Sequence, residues 1–209
     1  FKLIKIRSDK SEAKDGMPFG EGPAKVLEEA LSMAASMGFV TKNYENYVGA
    51  VDFNEKEKAL DILAHLDVVP VSDEWTVTKP FEPIIKDGKL YGRGASDDKG
   101  PAVTALYAMK AVKDLNIPLN KNVRLILGTD EECGSSDIKY YYNREEEAPM
   151  TFSPDADFPL INVEKGSFKP EFRAEFEEDK KLPRIVSVNS GVKVNVIPDR
   201  ASAVIEGIS

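Results

Sequence analysis

The sequence contains a single histidine, His65, at the end of an apolar run in the stretch ILAHLDVVP. Asp67 follows two places later, and residues i and i+2 of an extended chain point to the same side. Imidazole and carboxylate groups are ligands for divalent metals, but a lone histidine at a strand end is more often a core or surface residue. A metal-binding role for His65 therefore depends on further acidic groups elsewhere in the chain.

Three further stretches place acidic residues in turns, two of them beside glycines and one between prolines. They contribute Asp97 and Asp98 in GRGASDDKGP, Asp130, Glu131 and Glu132 in GTDEECG, and Asp155 and Asp157 in SPDADFP. Taken singly, each stretch has a structural explanation as a helix N-cap, a solvated loop or an ordinary turn. Together they supply one imidazole and several carboxylates, a ligand set that suits Zn²⁺, Mn²⁺ or Co²⁺.

Other functional motifs fit this sequence less well than a divalent metal site does. A phosphate-binding loop requires Ser or Thr after Gly-Lys, whereas Lys99 is followed by Gly100 and Pro101. The GRG turn has Asp97 where a dinucleotide-binding fingerprint requires its third glycine, and DADFP lacks the glycine and glutamate of an EF-hand. A nucleophile pair of Cys133 and His65 remains open, supported by the residue types alone.

The elements that must position these residues alternate between strands and helices. We predict helices over 23–38, 97–117 and 136–147, strands over 47–53, 59–65 and 122–128, and a hairpin over 83–94 that turns at Asp87-Gly88. This order predicts an α/β fold with a mixed, mostly parallel sheet flanked by helices. In such a sheet, ligands gather beyond the carboxyl ends of the strands, where the acidic turns lie.

The pattern changes near residue 165, where SFKPEFRAEFE and later GVKVNVIPDRASAVIEGI alternate in the manner of strands. We expect residues 1–164 to form the N-terminal part of a catalytic domain. Residues 165–209 are then the beginning of an α+β lid domain that is truncated at Ser209. The chain begins at Phe1 rather than Met, so we also expect a trimmed N-terminus.

Net charge, apolar runs and cysteine content bear on the partners and the compartment of the protein. The 209 residues carry a net charge of −8 without a basic stripe, which disfavours nucleic acid and anionic membranes as partners. No run approaches the roughly 20 apolar residues that a membrane span requires. Cys133 is the single cysteine, which favours a reducing compartment, and we expect a cytoplasmic protein.

The four motifs HLDVVP, GRGASDDKGP, GTDEE and FSPDADFP, in this order and spacing, resemble the co-catalytic zinc hydrolase family that includes aminoacylase, carboxypeptidase G and carnosinase. Within that family they are similar to the bacterial PepV-type dipeptidases. The resemblance covers residues 23–166, with looser similarity as far as residue 201. It implies a zinc-aminopeptidase-like catalytic domain that binds two divalent metal ions, zinc first, with manganese or cobalt as alternatives.

The resemblance also implies a role for each matching residue. The metal ligands would be His65, Asp97 as the bridging ligand, Glu132 and Asp155, and the peptide bond after Asp97 would be cis. Glu131 would be the general base acting on a metal-bridging water, and Asp67 would orient the imidazole. Asn195 matches a lid motif and is a candidate substrate contact, with a turn residue as the equal alternative.

The implied activity is hydrolysis of dipeptides, with β-alanyl dipeptides among the candidate substrates. The alternatives are an N-acyl-amino-acid amidohydrolase or desuccinylase of the same family, and a catalytically incomplete metal-binding fragment. The fragment is a real alternative because the family's second metal takes a histidine near the C-terminus, and His65 is the single histidine here. The sequence does not determine the oligomeric state.

Overall fold

The computed structural model describes residues 1–72, 75–157, 159–175, 177, 180–191, 197–198 and 200–208. The chain divides into two compact units, Phe1–Leu160 and Ile161–Ser209, which are described separately below. No helix in the described ranges is long and apolar enough to cross a membrane.

The described residues form thirteen elements in chain order. The helices are α1 (Glu21–Ser36), α2 (Lys99–Asp114) and α3 (Ser136–Tyr142), with a 3₁₀ turn at Glu131–Cys133. The strands are β1 (Val40–Tyr44), β2 (Val48–Asp52), β3 (Lys58–His65), β4 (Ile84–Lys86), β5 (Lys89–Tyr91), β6 (Asn122–Gly128), β7 (Met150–Phe152), β8 (Arg184–Ser190) and β9 (Ala201–Glu206).

A five-stranded sheet with the order β1-β2-β6-β3-β7 forms the centre of the first unit. β3 pairs with β6 and β7 in parallel, while β2 is antiparallel to both of its neighbours, β1 and β6. All strands of this sheet except β2 therefore run in one direction. The predicted mixed, mostly parallel sheet is confirmed.

Helices cover both faces of this sheet. Alternate residues of a strand point to opposite faces, so Leu125 and Leu127 of β6 join the core under α1 and α2, while Ile126 packs with Tyr141 of α3. The helix predicted over 23–38 is present as α1, and it buries an apolar stripe at Val26, Leu27, Ala30, Leu31 and Ala34. This helix ends where Gly38 takes the left-handed conformation, with φ of 81°.

Several elements differ from the sequence-based prediction. β1 was not predicted, although it forms a hairpin with β2 through Glu45 and Asn46, whose φ angles of 52° and 60° suit a tight turn. The short edge strand β7 was likewise not predicted. The strand expected over SFKPEFRAEFE is wrong for residues 167–175, which are exposed and outside any strand. Period-two alternation indicates a strand only where a neighbouring strand accepts its hydrogen bonds.

In the second unit, β8 and β9 form an antiparallel hairpin in which Arg184 pairs with Glu206. The Arg184 Nε donates to Glu206 Oε2 over 2.7 Å. The β-containing character expected for this region is therefore present in its described residues. Much of the GVKVNVIPDR stretch, including Asn195, lies outside the described residues.

Candidate metal centre

The carboxyl ends of β3 and β6 bring His65 beside the acidic turn. The two strands are parallel and His65 pairs in register with Gly128, so the segments that follow them leave the sheet at the same edge. Leu66 N continues the ladder by donating to the Gly128 carbonyl over 2.9 Å. Parallel pairing thus places HLD and TDEE next to each other although more than sixty residues separate them.

The hydrogen bonding of His65 determines which ring nitrogen faces the acids. Nδ1 lies 3.0 Å from the main-chain carbonyl oxygen of Asp67, which can only accept a hydrogen bond. Nδ1 therefore carries a proton and donates it, while Nε2 points to the acidic side chains. The ring is 2% exposed, so this orientation is fixed by packing as well.

Three carboxylates converge on His65 Nε2. Asp97 Oδ1 lies 2.9 Å away, Asp155 Oδ2 3.4 Å and Glu131 Oε2 3.9 Å. Among the residues that the structure describes, two overlapping groups have all their ligand atoms within 4.8 Å of one another: His65 with Asp97 and Asp155, and His65 with Glu131 and Glu132. Each of the four residues expected to bind metal therefore belongs to at least one of these groups.

The donor set fits a divalent metal. Two ligands held about 2.0–2.2 Å from a tetrahedral zinc ion are roughly 3.3–3.5 Å apart. The Asp97 and Asp155 oxygens lie 2.9 and 3.4 Å from Nε2, close to that value. Imidazole nitrogen with carboxylate oxygen suits Zn²⁺, Mn²⁺ and Co²⁺ alike. A cation at this position also offsets the repulsion among the converging carboxylates.

The carboxylate of Asp67 holds the acidic turn. Its Oδ1 accepts the Glu131 N–H over 3.2 Å and its Oδ2 accepts the Glu132 N–H over 3.1 Å. The main-chain carbonyl of Asp67 accepts a hydrogen bond from His65 Nδ1, and the Asp67 carboxylate Oδ1 lies 3.3 Å from the same nitrogen. The two glutamates lie in the 3₁₀ turn Glu131–Cys133, so Asp67 fixes the main chain at the start of that turn.

Two other acids near the turn face inward. Asp137 is fully buried, and its Oδ2 accepts the N–H groups of Thr129 and Asp130. The buried Asp130 carboxylate pairs with Lys10 Nζ at 2.7 Å and also accepts the Ser136 N–H. The three consecutive acids thus have different surroundings, because Asp130 has a cationic partner while Glu131 and Glu132 group with His65.

Asp98 occupies the N-cap position of α2, yet its side chain makes no capping hydrogen bond. Its Oδ2 instead accepts the main-chain N–H of His65 over 3.0 Å. The capping role considered for it is therefore wrong. The Asp97–Asp98 peptide bond is cis, as the resemblance implies.

The electrostatics of the cluster follow from burial and from charge proximity. Burial lowers the pKa of His65, but hydrogen bonds to Asp67 and Asp97 outweigh it and raise the pKa to about 11. The hydrogen bond to His65 in turn lowers the pKa of Asp97. Burial raises the pKa of Glu131 and of Asp155, and the carboxylates around each raise it further. Glu131 is thus more basic than an ordinary surface glutamate, as a proton acceptor requires.

Sequence reasoning did not assign the buried role of four residues near the site, Asp98, Lys99, Asp130 and Asp137, each of which binds a main-chain group. The sequence does contain one signal, the two charged residues directly after the predicted ligand Asp97. Charged side chains are rarely buried without a partner, so such a pair beside a ligand indicates buried polar contacts. Asn195, the candidate substrate contact, lies outside the described residues.

Comparison with known proteins gives a family assignment. A profile of peptidase family M20/M25/M40 matches residues 62–204, more than half of the chain. The chain is 44% identical over 209 residues to the putative dipeptidase YtjP of Bacillus subtilis, covering 98% of this chain and 45% of that protein. It is 39% identical over 208 residues to the Beta-Ala-Xaa dipeptidase of Lactobacillus delbrueckii subsp. lactis, covering 98% and 44%. The chain therefore spans less than half the length of these relatives.

Solved structures share the fold. Human carnosine dipeptidase 1 superposes with a TM-score of 0.64 at 23% identity, over 75% of this chain and 37% of that one. An M20 family metallo-carboxypeptidase from Sulfolobus solfataricus superposes with a TM-score of 0.60 at 29% identity, over 74% and 36%. Both comparisons agree with the α/β architecture described above.

Proposed function

This chain belongs to peptidase family M20/M25/M40, and we propose that the protein is a metal-dependent dipeptidase. The convergence of Asp97, Asp155 and Glu131 on Nε2 of the single histidine carries the proposal. A lone histidine in a structural role does not require three carboxylates around its Nε2. The relatives at 44% and 39% identity, both named dipeptidases, support the choice of substrate class.

In this proposal His65, Asp97 and Asp155 hold the first metal ion, and Asp97 and Glu132 contribute to the second. Two divalent ions, when bound, supply an acidified water and polarise the scissile carbonyl. We propose Zn²⁺ as the metal, with Mn²⁺ or Co²⁺ as alternatives, because this donor set suits all three.

Glu131 is the proposed general base. Its carboxylate reaches to 3.9 Å from Nε2 and its side chain is half exposed, so it borders both the metal ligands and the open side of the site. It takes a proton from the attacking water and returns it to the leaving amine. Asp67 positions this carboxylate by fixing the Glu131 main chain, and it holds the imidazole from the opposite side.

The proposed substrate is a short peptide, with unmodified dipeptides first and β-alanyl dipeptides among them. We further propose that residues 1–164 are part of the catalytic domain and that residues 165–209 begin the lid. A single cysteine in 209 residues is consistent with the cytoplasm as the proposed compartment.

A substrate panel tests this function. The whole protein is freed of metal, reloaded separately with Zn²⁺, Mn²⁺ or Co²⁺, and assayed against α-dipeptides, β-alanyl dipeptides and N-acetyl or N-succinyl amino acids. We expect dipeptides to be cleaved fastest and activity to require added metal. Faster cleavage of the N-acylated compounds would replace the proposal with the amidohydrolase alternative. No cleavage of either class by a metal-loaded protein would favour the metal-binding fragment.

A matched pair of variants tests the general base. Glu131→Gln removes the proton acceptor at nearly constant volume, and we expect kcat to fall by about 10²–10⁴-fold while bound metal per protein is retained. Glu12→Gln, an exposed glutamate outside the site, is the control. Near-normal turnover by the first variant would contradict the assignment.

A further inference from the structure

The first ten residues of the sequence run beneath the metal centre and are anchored to several of its loops. The segment Leu3–Lys10, called the strap here, contains no regular helix or strand. Leu3 and Ile4 are each 4% exposed, and Leu3 belongs to the main core. A Cβ added to Gly22 of α1 would lie 2.2 Å from the Arg7 carbonyl oxygen, so the strap approaches that helix closely.

Ser8 attaches the strap to the loop that carries Asp67. The buried Ser8 hydroxyl donates to the Leu66 carbonyl over 2.7 Å, and the Val68 N–H donates to the Ser8 carbonyl over 3.3 Å. These bonds lie on either side of Asp67, which contacts His65 and both glutamate N–H groups. A displacement of Ser8 would therefore be transmitted to the residue that connects the two halves of the site.

Lys10 attaches the strap to the acidic turn. Its ammonium donates to Asp130 Oδ1 over 2.7 Å, and that carboxylate is 1% exposed. Asp130 directly precedes Glu131, and it accepts the Ser136 N–H that closes the turn. A buried carboxylate without its cation carries an uncompensated charge, so loss of Lys10 is expected to distort the turn locally.

Lys99 attaches the strap to the start of α2, two residues after Asp97. Its side chain is 1% exposed, and Nζ donates to the carbonyl oxygens of Leu3 over 3.0 Å and Ile6 over 2.8 Å. The stem passes Gly94, where an added Cβ would lie 2.9 Å from Lys99 Cδ. This lysine donates to main-chain carbonyl oxygens inside the protein and not to solvent, so it holds the strap against the start of α2.

We infer that the strap is a positioning element of the metal centre, acting through Ser8 on the His65–Asp67 loop, through Lys10 on the acidic turn and through Lys99 on the Asp97 turn. The inference rests on the metal-binding part of the proposed function. The strap contributes no ligand; it keeps three loops at the mutual distances that a metal ion requires. Partners that orient ligands in this way typically change metal affinity by about 10–100-fold when removed.

The test measures Zn²⁺ affinity by competition with a chromophoric chelator, using the whole protein. We expect Lys10→Met and Lys99→Met to weaken Zn²⁺ binding by about 10–100-fold, and Lys10→Arg to restore most of the loss at its position. Lys5→Met, an exposed lysine of the same segment, is the control and should bind as the wild type does.

A second comparator separates positioning from general instability. Leu31→Ala removes a buried core side chain of α1 away from the metal loops, and it should lower the thermal midpoint of the metal-free protein without weakening Zn²⁺ binding. Strap variants that bind Zn²⁺ as the wild type does would overturn the inference, as would an equal loss of affinity in Leu31→Ala. If Lys99→Met does not fold, the half-exposed Lys10 pair decides the question.

Failure of the proposed function gives a different result. A wild type that binds Zn²⁺ tightly but cleaves no peptide would refute the dipeptidase proposal, while the affinity series would still decide the role of the strap. A wild type without measurable Zn²⁺ binding would overturn both.

Discussion

The buried ion pair between Asp61 of β3 and Arg124 of β6 offers a quantitative test of how the site is held. The two residues are direct partners in the parallel register, and each lies four residues before the end of its strand, where the candidate site is presented. Arg124 Nε and Nη2 donate to the two carboxylate oxygens over 2.7 and 2.6 Å. Asp61 is 0% exposed and Arg124 1%, so solvent screens neither charge.

Asp61→Asn keeps the shape of the side chain but removes its charge and one acceptor oxygen. Oδ2 also receives hydrogen bonds from Tyr142 and the Ala148 N–H, over 3.2 and 3.0 Å, so an amide in either orientation leaves at least one donor without its acceptor. Breaking a buried pair while its partner remains costs about 3–5 kcal/mol of unfolding free energy. For a unit of this size, 1 kcal/mol corresponds to about 2–4 °C, so the thermal midpoint should fall by roughly 6–20 °C.

The assay is urea unfolding followed by far-ultraviolet circular dichroism, with thermal melts in parallel. The control is Asp114→Asn, which removes the exposed i,i+4 pair with Lys110 and should cost about 0.3–0.5 kcal/mol. The double variant Asp61→Leu with Arg124→Met should be more stable than Asp61→Leu alone, because no uncompensated guanidinium remains. A loss below about 1 kcal/mol in Asp61→Asn, or strict additivity in the double variant, would refute the reasoning.

Three further outcomes are expected. Asp67→Asn should weaken Zn²⁺ binding by about 10–100-fold in chelator competition, since one oxygen that accepts a turn N–H becomes a donor; unchanged affinity would exclude this role. Asp155→Asn should weaken Zn²⁺ binding. Asp157→Asn is the control and should not, because Asp157 lies outside both ligand groups. Equal effects of the two substitutions would remove Asp155 from the ligand set. Hydrogen bonds from Lys58 and Tyr44 lower the pKa of Glu145 to about 2, so the stability that ionised Glu145 gives the fold is complete above about pH 4.5 and is lost as pH falls towards 2. The thermal midpoints of Glu145→Gln and wild type should therefore converge with acidification. A difference that stays constant with pH would contradict the pairing.

Much of the fold followed from local patterns. The helical periodicity of 23–38 and the apolar run before His65 predict α1 and β3 because burial of a stripe or a strand leaves a direct trace in residue order. β1 and the edge strand β7 left little trace, since their side chains are largely exposed and their pairing is decided by neighbours distant in sequence. Alternation at Phe168 and Phe172 misled for the converse reason, as the described chain offers them no paired strand.

For the candidate site, too, one part follows from the sequence and another part is decided only by the tertiary structure. The sequence by itself determined the chemical types of the donors, one imidazole with several carboxylates, and their places after strands, because these depend only on residue identity and local order. Tertiary structure alone decided that Asp97 and Asp155 approach Nε2 of His65 while Asp130 turns inward to Lys10. It also decided that the carboxylate of Asp67 holds the acidic turn. Such choices arise from parallel pairing and the burial of charge between segments far apart in sequence, which residue order alone does not encode.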